Sequence, residues 1–206
     1  MKLPENNGIS FTPTPAGQHL AVLTRFIDLG TQTTTGMYGT KSQRKVQLGW
    51  EIPKERITWN RDGVDHEGPV LHVERMTFSS HEKALFRQRL ESWRGRPFTE
   101  EDFGTFDCKT LLGVGALLQI VHETNNGTTY ANLNAILLPP GGKETWPSPE
   151  GEIIYFSLDD FDPKIFDGFS DKMKETIASS PEYRALHGAH DERNQTPRDL
   201  DDEIPF

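Results

Sequence analysis

The sequence predicts a mainly β fold with some α: a five-stranded barrel carrying one inserted helix, then a short α/extended segment, then a disordered acidic tail. Three observations predict it. Short β-branched and aromatic runs recur between turn signals, one amphipathic helical pattern interrupts them after the third run, and the charge turns strongly acidic after residue 143.

Residues 19–29 (HLAVLTRFIDL) are rich in β-branched and aromatic side chains and read as the first strand. Residues 44–52 (RKVQLGWEI) alternate, with Val46, Leu48, Trp50 and Ile52 on one face, and read as the second. Residues 30–43 between them are a polar Gly/Thr segment of loop length, expected to be mobile. Pro53 is expected to end the second strand, Asn60-Arg61-Asp62-Gly63 reads as a turn, and residues 70–78 (VLHVERMTF) read as the third strand. Ser79-Ser80-His81-Glu82 fits a capping box that starts a helix with Phe86, Leu90 and Trp93 on one face and Gly95 at its stop. Residues 115–123 and 129–138 read as the closing pair of strands, joined through Asn126-Gly127, a hairpin signal. In outline this is the oligonucleotide-binding (OB) barrel. The binding domain is assigned to residues 15–140, a linker with a short helical extension to 141–186 and a disordered acidic tail to 187–206. Within the extension, residues 153–158 form a short apolar stretch and residues 171–178 a helix with Ser170 as N-cap.

A hydrophobic content of 34% over 206 residues suffices for one core with chain left over. No apolar run reaches membrane-spanning length and no secretory pattern opens the chain, so a cytoplasmic location is expected. A single cysteine, Cys108, excludes an internal disulfide and any multi-cysteine zinc site, and reads as a buried thiol. The net charge of −9 argues at first sight against a nucleic-acid partner. Its distribution reverses that argument, because residues 15–98 hold thirteen Lys and Arg against nine Asp and Glu, whereas residues 144–206 hold six against sixteen.

The seven histidines form no metal-spaced set, and neither a phosphate-cradling Gly-rich loop nor a Gly-x-Ser-x-Gly elbow is present. Neither a metal, a cofactor nor catalysis is therefore expected. Asp159-Asp160-Phe161-Asp162 reads as a solvated turn rather than a magnesium site.

The chain closes on acids followed by Ile204-Pro205-Phe206. An aromatic there can fill a pocket while the acids engage a basic rim, and Pro205 holds Ile204 extended. This resembles the C-terminal tip of bacterial single-stranded-DNA-binding proteins. The resemblance implies that Asp201, Asp202, Glu203, Ile204, Pro205 and Phe206 dock replication or repair helicases, nucleases or a polymerase. The body is similar to a family of tailed-phage replication proteins over about residues 15–183. That similarity rests on Ile27-Asp28-Leu29-Gly30-Thr31-Gln32, Gln43-Arg44-Lys45-Val46, Trp50-Glu51-Ile52-Pro53, His81-Glu82-Lys83, Leu90-Glu91-Ser92-Trp93-Arg94-Gly95 and Thr129-Tyr130-Ala131-Asn132. It implies single-stranded DNA binding in phage replication or recombination, without a residue-level mechanism.

Sequence-independent binding of a single strand needs cations for phosphates and aromatic faces for bases. The candidates are Arg25, Tyr38, Lys41, Arg44, Lys45, Arg75, Arg87, Arg94, Arg96, Tyr130 and Asn132. Trp50 shares parity with the apolar face and is assigned to the core with Phe86, Leu90 and Trp93. Two alternatives stay open: a strand-annealing or recombination mediator, and an adaptor that competes for host repair enzymes without holding DNA. A homo-oligomer is compatible with either.

Overall fold

The computed structural model describes residues 13–37, 39–61 and 63–193. It is mainly β. The strands are β1 (Gly17–Gly36), β2 (Gly39–Arg61), β3 (Val64–Thr77), β4 (Gly115–Asn125), β5 (Thr128–Leu137) and β6 (Ile154–Phe156). They form one curled antiparallel sheet in the order β3-β2-β1-β4-β5, with β6 pairing to β1. The helices are α1 (Leu85–Arg94), α2 (Glu100–Thr105), α3 (Pro163–Asp167), α4 (Asp171–Ala178) and α5 (Pro181–Arg193). The chain divides into two compact units, one of Met1–Ile27 with Gln47–Tyr155, the other of Asp28–Val46 with Phe156–Phe206.

In the first unit, Leu48, Trp50 and Ile52 recur at every second residue of β2 and are fully buried with Ala21, Val22, Leu23 and Leu118. Helix α1 packs on both β3 and β5 through Phe86, Leu90 and Trp93, as its 3.6-residue spacing predicts. The Trp93 indole N–H donates to the Gly115 carbonyl at 2.8 Å, and its ring meets Trp50 edge-on at 6.4 Å. Gly95 ends the helix at φ 70, where a left-handed residue closes the last turn. The β4–β5 turn follows its signal: Asn126 at φ 49 and Gly127 at φ 79 are the two positive-φ residues of a type I′ hairpin.

Five expectations are corrected. The segment 30–43 is not a loop, because β1 and β2 run on through it into a tight hairpin, and the Thr33–Ser42 and Thr35–Thr40 hydroxyl pairs at 2.9 and 3.1 Å cross it. Strand β2 does not stop at Pro53 but continues to Arg61, so the proline forfeits one donor within a long ladder. Ser79 caps no helix: its hydroxyl accepts the His81 N–H in a local turn, and α1 begins after Ala84 with no side-chain cap. Residues 141–186 hold more than a linker and one short helix. They contain β6, α3 and α4, and in the second unit Phe156, Phe161, Phe166, Phe169 and Tyr183 form a continuous ring cluster with centroids 5.1–6.5 Å apart. Finally, α5 carries through His187 to Arg193, because a helix anchored early by Tyr183 and Glu182 propagates cheaply where no proline intervenes. The Ser170 position and the bounds of α4 agree with the sequence, although the Ser170 hydroxyl makes no capping bond.

Candidate nucleic-acid interface

Beyond Ile52 the paired β2 and β3 lose their burial and become an exposed ribbon, closed by Gly63 at φ 82, whose N–H the Asn60 side chain accepts at 3.1 Å. On it Trp59 is 45% exposed and lies parallel to the His66 ring, with 5.8 Å between centroids and 18° between planes. Gly68 leaves room for this ring, since a Cβ there would meet the indole at 3.0 Å. A half-exposed indole at the end of a sheet ribbon offers a surface on which a base stacks. The Arg56 guanidinium of the ribbon is less available: it pairs with Glu150 at 2.8 Å and with Glu67 at 3.1 Å, and both partners hold it charged.

Elsewhere in the first unit, Tyr130 is 52% exposed and shares its face of β5 with Asn132, whose amide donates to Glu123 at 2.9 Å. Tyr130 and Asn132 line a groove of about 400 Å³ with residues 71–74 of β3 and Thr14. His72 in that groove is buried, its Nδ1 is 3.2 Å from the Thr14 hydroxyl, and its Nε2 has no partner among the described residues. Burial, with a smaller contribution from His19, lowers the His72 pKa to about 4.

The predicted cations separate into committed and exposed groups. Arg44, in the second unit, forks onto the buried Asp28 carboxylate at 2.5 and 3.2 Å and reaches Asp159 at 2.9 Å, so it is a structural ion pair rather than a phosphate contact. Asp28 also accepts the Gly30 and Leu158 N–H groups at 2.9 and 3.1 Å. Arg87 pairs with Glu91 at 2.9 Å and lies 4.5 Å over the Phe103 ring. Arg94 pairs with Asp102 at 3.2 Å and lies 4.3 Å over Phe98. The Arg25 side chain packs across Gly49, and Lys45 donates to Gln43 at 3.1 Å. Arg75 is exposed and donates to Gln47 at 2.9 Å, while Lys41 and Arg96 are exposed. Tyr38 and Asp201, Asp202, Glu203, Ile204, Pro205 and Phe206 lie outside the described residues.

Two other features carry ordinary structural chemistry. Asp159 serves Arg44, and Asp162 caps α3 by accepting the Lys164 N–H at 2.8 Å. Cys108 lies in an aromatic groove with Phe86, Phe98 and Phe103, where burial and Asp107 push its thiol up to about 11. Among the described residues no group of three or more His, Cys, Asp or Glu is arranged to hold a metal ion, and no helix is long and apolar enough to cross a membrane.

Sequence reasoning missed Trp59 and His66. By ending β2 at Pro53 it left Ile57-Thr58-Trp59 in a presumed loop, although that β-branched and aromatic triplet immediately precedes the Asn60 turn. Compared with known proteins, the chain matches no family model and no curated protein.

Proposed function

We propose that this protein binds single-stranded DNA without acting on it chemically, as an OB-type module of phage replication or recombination. The observation that carries the reading is the half-exposed Trp59 stacked on His66 at the end of the β2–β3 ribbon. A base needs an aromatic face that the fold does not consume, and Trp59 is one while Trp50 and Trp93 are buried. The strand order, with α1 between β3 and β4 and packed on β3 and β5, supports an OB arrangement. Tyr130 supplies a second exposed ring, and Arg75 and Arg96 are exposed cations of the same unit. The acidic residues before Ile204-Pro205-Phe206 recruit replication or repair enzymes, so Phe206→Ala is expected to abolish helicase or nuclease capture while leaving DNA binding intact.

A fluorescent oligo-dT titrated alongside a duplex of equal length, at two salt concentrations, tests the reading. Tighter binding of the single strand that weakens with salt supports it, and equal affinity for both forms rejects it. A second reading, an adaptor that does not hold DNA, is favoured by one observation. Arg44, Arg56, Arg87 and Arg94 are all paired with carboxylates, which thins the cationic track. No binding of either oligonucleotide, with enzyme capture intact, would select it.

A further inference from the structure

The arginines of the first unit differ in what holds them. Arg56, Arg87 and Arg94 each pair with a carboxylate that offsets their charge. Arg25 and Arg75 are held by uncharged groups, and both meet the same face of β2. Because Leu48, Trp50 and Ile52 face the core, Gln47, Gly49 and Glu51 face the other way, yet all three are buried. Each has its own cover. The Glu51 carboxylate accepts the Glu150 and Gly151 N–H groups, the Arg25 side chain from β1 lies over Gly49, and Arg75 from β3 bonds Gln47.

Both contacts place an arginine without neutralising it. A Cβ on Gly49 would meet the Arg25 Cβ at 3.0 Å and its Cγ and Cδ at 3.4 Å, so the missing side chain is what lets the arginine stem lie along the strand. Gln47 is 6% exposed, and its Oε1 accepts the Arg75 Nε–H at 2.9 Å. That bond fixes the guanidinium and leaves both Nη groups to a ligand. Gln47 and Gly49 stand two positions apart, which sets the two anchor points about 7 Å from each other. Cations anchored this close repel, and an anion shared between them relieves the repulsion. The chain holds 31 Asp and Glu against 22 Lys and Arg, so carboxylates are in surplus, yet among the described residues neither arginine bonds one.

We infer that Arg25 and Arg75 form a clamp for a phosphate group on the outward face of β2, with Gln47 positioning Arg75. The planar fork of a guanidinium matches two phosphate oxygens, and an amide that orients the fork without cancelling its charge preserves that match. The identity of the phosphate rests on the single-strand reading, under which it is a backbone phosphodiester.

Oligo-dT titrations of the full-length protein across a salt series test the clamp, with melting followed on the same samples. Arg25→Gln and Arg75→Gln should each lower the slope of log affinity on log salt by about 0.7, the share of one phosphate contact on a single strand. Gln47→Glu keeps the arginine but pairs it with a carboxylate, as Glu91 pairs with Arg87, and should lower the slope as Arg75→Gln does. Arg87→Gln should leave it unchanged. Unchanged slopes in the first three variants, or an equal fall in all four, would overturn the clamp while leaving the DNA-binding reading in place. A second arm adds inorganic phosphate alone. If the protein binds no oligo-dT, but phosphate raises its melting temperature and fails to do so in the Arg25→Gln, Arg75→Gln double variant, the clamp stands as a site for free phosphate and the DNA-binding reading fails. No response to either probe would overturn both.

Discussion

Strand β2 takes part in two hairpins, and they use their polar and aromatic residues in opposite ways. The hairpin with β1, in the second unit, is stitched internally: hydroxyl pairs cross it, and Arg44 is locked between the buried Asp28 and Asp159. The ribbon with β3, in the first unit, leaves its largest ring, Trp59, half exposed beside His66. A charge satisfied by a buried partner has little left for a ligand, whereas an aromatic face left in water costs hydrophobic burial the fold did not need. The first hairpin therefore carries stability, and the ribbon is where we propose that recognition takes place.

Removing the buried carboxylate should break this contrast most severely. Asp28→Asn leaves Arg44 with Asp159 and replaces a carboxylate that serves two backbone N–H groups by a single amide oxygen, and an expected loss of about 3 kcal/mol, the lower end for breaking a buried pair, should appear as a lower urea midpoint at unchanged slope. Arg44→Met leaves Asp28 its two backbone donors and should lose less.

Acid should act next, and on β3. The buried His72 is neutral in the folded protein down to about pH 4, whereas its unfolded counterpart takes up a proton near 6.5. The unfolded state therefore binds more protons between these values. Stability is fully present above about pH 6.5 and should decline by roughly 2–3 kcal/mol as the pH falls toward 4. Thermal melts across that window should show the slope, and His72→Phe should flatten it.

A third change separates recognition from folding. Tyr130→Ala should weaken oligo-dT binding by about 1 kcal/mol, at the lower end of the range for one stacked base, with little change in melting. A sharp fall in melting without loss of affinity would make Tyr130 structural. The smallest effect is expected from Lys41→Ala with Lys45→Ala, which should reduce the salt slope by about 0.7 for each phosphate contact removed. An unchanged slope would move the phosphate track to other cations such as Arg75 and Arg96.

The legible parts of the sequence were those fixed by local chemistry. The α1 stripe of Phe86, Leu90 and Trp93, the Gly95 stop, the Asn126-Gly127 turn and the burial of Trp50 each follow from spacing or from a positive-φ requirement that one residue type meets. What was illegible depended on partners distant in sequence. Arg44 reads as a free cation until Asp159, over a hundred positions on, is found beside it. Glu51 likewise shows its role only where its carboxylate accepts the Glu150 and Gly151 N–H groups at 2.9 and 3.1 Å. Pro53 misled for a different reason: one lost donor is a local penalty, and a strand paired along twenty-three residues outweighs it. That single misreading hid Trp59.

The central claim is that Trp59 is a base-stacking surface rather than a packing residue. Its most direct test is an oligo-dT titration of Trp59→Ala beside the unsubstituted protein at one low salt concentration, with melting followed on the same samples. A loss of about 1–3 kcal/mol in affinity at a nearly unchanged melting temperature is the predicted result. Unchanged affinity, or a loss that merely tracks a fall in melting temperature, would contradict it.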